Sequence, residues 1–159
     1  MSKLIPFLTI LALAQLCGAR PIKMWTYQEL FDQADLVIAA RPSRSRDAHA
    51  DERHWAAPAS NLVAVITDFE IDGIMKGDRS LKRCSLYHFR FDKLHEEDVL
   101  FNPPGLVGFE PKSHDAYLMF LQKQSDGTYR AMSGQMDPFL SVIKLEPIPV
   151  WLRASKLQK

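Results

Sequence analysis

The stretch from Asn61 to Met75 constrains this chain more than any other. Val63, Val65, Thr67, Phe69 and Ile71 fall on one face of an extended strand. Leu62, Ala64 and Ile66 fall on the other face, where Asp68, Glu70 and Asp72 then take over. A period of two is the signature of a strand. The first half of this strand is expected to be buried on both faces and the second half on one. A long strand that curves out of a small barrel shows that change. Lys76-Gly77-Asp78 marks its end as a turn.

The other elements extend the same reading. Cys84 to Phe91 is a second strand, with Tyr87, Phe89 and Phe91 expected to face inward and Leu86, His88 and Arg90 outward. Ala116 to Lys123, the turn Ser125-Asp126-Gly127 and the return Thr128 to Met132 form a hairpin. Leu36 to Ala40 is apolar on both alternating faces and reads as a buried strand. Leu106 to Phe109 is a brief extended piece. Thr26-Tyr27-Gln28-Glu29 fits a capping box, and Tyr27, Leu30, Phe31 and Ala34 follow as one helical stripe, so a helix is expected from Tyr27 to Ala34. Asp137-Pro138 looks like a second helix start. Phe139, Val142 and Ile143 then favour a short helix over a final strand, although the β-branched residues argue the other way. Residues 42–60 and 92–105 read as long loops.

A parallel, doubly wound sheet needs a helix after nearly every strand, which this order lacks. The expected fold is mainly β: a small five- to six-stranded antiparallel OB-like barrel with short N- and C-terminal helices.

The start of the chain reads as an export signal. Lys3 precedes an apolar run from Leu4 to Leu16, and Cys17-Gly18-Ala19 supplies small residues for cleavage after Ala19. The run is shorter than the roughly 20 residues a spanning helix needs, so no stable membrane span is expected after cleavage. Cys17 fits a lipid-attachment site poorly, because Gln15 and Leu16 stand where such sites want other residues. The expected organisation is a signal peptide over 1–19, one domain over 20–146 and a tail over 147–159, in a secreted or periplasmic protein. Basic and acidic side chains number 20 and 19, and losing Lys3 with the leader makes them equal. Such a balance supplies no field for steering toward nucleic acid. Cys84 then has no internal partner, so the core must do without a disulfide.

Several of these residues resemble a known family. Ala34-Asp35-Leu36-Val37-Ile38 after a short helix is similar to the opening of netrin-like domains, which include the tissue inhibitors of metalloproteinases. Asp68-Phe69-Glu70-Ile71 leading through Ile74-Met75-Lys76-Gly77 is similar as well, as is Tyr117-Leu118-Met119-Phe120-Leu121 before a Gly-bearing turn. Small exported bacterial proteins look alike too. The resemblance spans roughly residues 34 to 145 and implies an OB-like five-stranded barrel. Inhibitors of that family chelate a protease zinc through a free amino-terminal Cys locked by disulfides. A mature chain starting at Arg20, with no partner for Cys84, departs from that pattern, so no inhibitory residue carries over.

The search for chemistry yields little. No His-Glu-x-x-His, Cys-x-x-Cys, Gly-x-Ser-x-Gly or phosphate-cradling glycine loop occurs. His49 and His54 with Asp47, Asp51 and Glu52, and the run His95-Glu96-Glu97-Asp98, read as solvated charged segments. Catalytic residues, metal ligands and cofactors are therefore expected to be none. Arg44, Arg46, His54 and Trp55 in the first long loop have the cationic and aromatic character of binding hot spots. The expected function is an exported, non-catalytic binding or interaction module whose partner is another protein or an envelope component. The alternative is a small hydrolase or metal-dependent enzyme whose site assembles from distant His and Asp residues.

Overall fold

The computed structural model describes residues 23–53, 61–92 and 105–146. Helix α1 spans Tyr27–Gln33. Thr26 caps it by accepting from the Glu29 amide at 3.2 Å, and the Glu29 carboxylate accepts from the Thr26 amide at 2.8 Å. That reciprocal pair satisfies two of the donors a helix start leaves open. Six strands follow among the described residues: β1 Leu36–Asp47, β2 Leu62–Lys76, β3 Arg83–Phe91, β4 Ala116–Lys123, β5 Tyr129–Ala131 and β6 Val142–Leu145.

The strands lie in the order β1-β2-β3-β5-β4, and β4 pairs back onto β1, which closes a five-stranded barrel. β6 attaches to β4 as an additional strand. The expected small OB-like barrel is thus present, with one departure from an antiparallel ring. β3 and β5 run parallel, joined at Leu86 and Tyr129. The reason is parity: directions cannot alternate all the way round a ring with an odd number of strands, so one seam must be parallel. The structure places that seam between strands that are not joined by a hairpin.

The barrel interior is filled by Leu36, Ile38, Phe69, Leu86, Met119 and Leu121 among others, each almost fully buried. α1 closes one side, with Leu30 and Ala34 packed against Val37 and Phe120. The Lys76 ammonium donates to the carbonyls of Phe31 (2.7 Å) and Asp32 (2.9 Å) at the helix's C-terminal end. There a cation meets both unsatisfied acceptors and the negative end of the helix dipole.

Four expectations need correction. First, residues 42–47 are not loop. β1 continues to Asp47, opposite β2 from Lys76 back to Val65, with irregularities that include one between Pro42 and Arg44. Ladder pairing with a long strand overrides the polar, proline-bearing composition, and a bulge absorbs the misfit. A 3-10 turn, Ala50–Glu52, follows. Second, the face of β3 is reversed. Register sets Phe69 against Cys84 and Thr67 against Leu86, so Cys84, Leu86 and His88 share the barrel side. Tyr87 and Phe89 belong to a separate apolar cluster with Ala48, Leu62, Ala64 and Ile66 on the opposite face. Third, the C-terminal helix is only a 3-10 turn, Pro138–Leu140, after which the β-branched Val142 and Ile143 enter β6. Fourth, Leu106 to Phe109 forms no strand. Phe109 instead packs edge-on against the rings of Phe69, His88 and Tyr117, with centroids 5.0, 4.9 and 5.1 Å away.

No helix among the described residues is long and apolar enough to cross a membrane.

Candidate functional site

Three polar features stand out on this frame. The first is the projecting end of β1. β1 pairs with β4 only from Leu36 to Ala40, whereas its pairing with β2 continues to Asp47. From Arg41 onward β1 therefore has a strand on one side only, among the described residues. Arg44 and Arg46 lie on this exposed edge, two residues apart and so directed to the same face. Their environments differ. The Arg46 guanidinium grips Glu52 with two hydrogen bonds of 2.6 and 2.7 Å, and Glu52 also accepts from the His49 amide at 2.9 Å. The hydrogen bonds from Arg46, then from His49, pull the Glu52 carboxyl down to about 2. Arg44 sits exposed opposite Asp68 and makes no hydrogen bond or ion pair among the described residues. Neighbouring charges on the same sheet are paired: Arg41 with Asp72 at 3.1 Å and Arg90 with Asp47 at 2.9 Å. The other two sequence candidates, His54 and Trp55, lie outside the described residues, as does His95.

The second feature is a line of hydrogen bonds running inward. The Ser45 hydroxyl, exposed on β1, lies 2.7 Å from the Thr67 hydroxyl, and Thr67 lies 2.8 Å from Nε2 of His88. Thr67 is fully buried and His88 nearly so. Burial holds the His88 ring well below its ordinary value, at about 4. It is neutral at physiological pH and a weak base there. Sequence reasoning missed this group because it placed His88 on the outer face. Its only signals were a polar Thr67 within the inward row of β2 and a His on the adjacent strand.

The third feature is a cleft of about 490 Å³ between β3 and the β4–β5 turn. Arg83, Cys84 and Ser85 line one side, Lys123 and Tyr129 the other. The Ser85 hydroxyl donates to the Asp68 carboxylate at 2.7 Å. Burial, with Asp68 nearby, pushes the Cys84 thiol up to about 12, so it is not a thiolate nucleophile at neutral pH. No sequence motif could have announced this cleft, since it is made by two strands parting.

Among the described residues no group of three or more His, Cys, Asp and Glu side chains is arranged to hold a metal ion. His49 serves locally as the residue that opens the 3-10 turn at Ala50–Glu52.

No protein-family model matches the chain, and a search of curated proteins finds no similar sequence.

Proposed function

We propose that this protein is an exported, non-catalytic interaction module of netrin-like type, which meets another protein or an envelope component through the projecting end of β1. The observation that carries this reading is Arg44. It is an exposed cation without a partner, on a stretch of strand with no neighbour on its outer edge, both among the described residues, whereas Arg41, Arg46 and Arg90 nearby are each held by a carboxylate. A side chain of this kind keeps its donors available for a carboxylate. The closed barrel behind it supplies a rigid mount, and a preorganised surface loses less entropy on binding. The leader over 1–19 supports export. The alanine-aspartate opening and the Lys76-Gly77 turn support kinship with netrin-like domains.

A photo-crosslinking residue at position 43, beside Arg44, in cells that export the protein, tests the reading. A discrete adduct that is lost in Arg44→Glu is the expected result. Absence of any adduct at position 43, with adducts elsewhere on the surface, would move the interface away from β1.

The contact between Thr67 and His88 favours a second reading, a small hydrolase using Ser45. It is the weaker of the two, because an imidazole held near 4 gives little drive for removing a hydroxyl proton at neutral pH. Covalent labelling of Ser45 by a fluorophosphonate, abolished in His88→Gln, would favour it.

A further inference from the structure

We propose that the cleft between β3 and the β4–β5 turn is a docking site for the carboxy-terminal end of an extended peptide, which adds as a short strand to the free edge of β3.

The lining residues carry the first part of the argument. Arg83, Cys84 and Ser85 are consecutive and all face the cleft. Successive side chains of a strand point to opposite faces, so only the edge of a strand can present all three to one space. That edge is open. β3 pairs with β2 from Arg83 to Phe91, but on its other side it meets β5 only at Leu86. The backbone groups of the first three residues of β3 on that side have no strand to pair with, among the described residues. An extended segment laid there continues the sheet through main-chain hydrogen bonds.

The shape of the cleft selects a chain end. The pairing of Leu86 with Tyr129 closes it, so an added strand cannot run past that point. Charge decides which end. Lys123 pairs through its backbone with Tyr129, next to the closed end, and its ammonium has no hydrogen bond or ion pair among the described residues. The Asp78 carboxyl is lowered by its hydrogen bonds from Ser80 and, weakly, by the Lys123 charge. Arg83 contributes a second cation, whose one ion pair, with Glu70, is long at 3.3 Å and 75% exposed on the arginine side. Exposed pairs of this kind are weak and readily exchanged. Asp68 is the one acid among the described residues that line the cleft, and it already accepts from Ser85, while Glu70 and Asp78 lie outside the lining. Two loosely held cations against one engaged carboxylate in the lining match a terminal carboxylate rather than a terminal amine. Leu81, Cys84 and Tyr129 give the cleft an apolar side, which suits an apolar last side chain.

The test is a titration of the isotopically labelled full chain, followed through backbone amide resonances. The probe is an N-acetylated Thr-Val-Thr-Val-Leu peptide with a free carboxylate. Two further arms use the same peptide amidated at its carboxy terminus, and sodium acetate. The expected result is saturable shifts of the Arg83 to Leu86 and Gly127 amides with the free-acid peptide. Amidation and, separately, Lys123→Gln are each expected to weaken binding about tenfold or more, the size of one lost charge-assisted contact. Arg83→Gln acts in the same direction. Both replacements are of exposed side chains, and unchanged thermal midpoints verify that the barrel is intact. Equal affinity for the amidated peptide, binding of acetate as strong as that of the peptide, shifts confined to other strands, or no saturable shift with any probe would each overturn the proposal.

Discussion

The hydroxyl of Thr67 stands 2.8 Å from Nε2 of His88, and both side chains are buried on the barrel side of neighbouring strands. One consequence is acid sensitivity. Burial lowers the His88 pKa from 6.5 to about 4, so below 6.5 the unfolded chain binds the proton more readily than the folded one. The stability held above pH 6.5 is lost as pH falls toward 4. The slope in that window approaches about 1.4 kcal/mol per pH unit. Urea midpoints measured at pH 7 and pH 5 should differ in the native protein. The difference should shrink in His88→Gln, which keeps an acceptor for Thr67 but does not titrate. An equal pH dependence in both proteins would show that another group dominates.

Phe109 packs edge-on over that histidine. Its ring touches Phe69, His88 and Tyr117 from a segment with no strand pairing of its own. Phe109→Ala should cost about 2–3 kcal/mol, less than a fully buried Phe because the ring is half-buried. It should also admit water to His88 and move its pKa back toward 6.5. Titration of the His88 ring protons by NMR checks the second effect. A loss of stability with no pKa change would mean that Phe109 only fills space.

Gly77 sits where β2 turns toward β3, at φ +105°. A Cβ there would come within 2.8 Å of Leu36 Cδ1 and 2.9 Å of the Asp35 carbonyl oxygen. The conformation and the close approach both demand glycine. Gly77→Ala is expected to destabilise by roughly 1–3 kcal/mol, read as a lower urea midpoint. Gly127 also has a positive φ, +87°, but open space around it, so Gly127→Ala should cost only its backbone strain. The ranking of the two variants separates crowding from conformation.

Cys84 is buried in the barrel, with its thiol pushed up to about 12 by desolvation first and by Asp68 second. A thiol reagent at pH 8 should leave the folded protein unmodified and label Cys84 at the rate of global unfolding. Fast labelling in native buffer would show that the cleft exposes the sulfur.

The netrin-like resemblance rested on short segments, and the structure supports its coarser content, a small mixed β-barrel with one helix. Much of that barrel could be read from local chemistry. The period of two from Asn61 to Met75, the capping box at Thr26 and the Gly-bearing turn after Lys123 each act over a few residues. The elements they predict are all present, to within a residue or two. Charge pairing and strand extension could not be read this way. Arg44 and Arg46 looked like loop residues because Pro42, serine and arginine are poor strand formers. Only the pairing with a long β2 carries β1 through to Asp47.

What the sequence determined by itself is therefore β2 to β5, the first part of β1 and the turns that join them, since backbone preference and alternation are local properties. Tertiary structure decided which face of β3 looks inward, because a shift of one residue in register exchanges the two faces. It also decided that Val142 to Leu145 pair with β4 rather than coil into a helix. Closing an odd number of strands forced one parallel seam, and the cleft beside Lys123 opens where that seam parts. That requirement belongs to the ring as a whole, and no single segment of the chain encodes it.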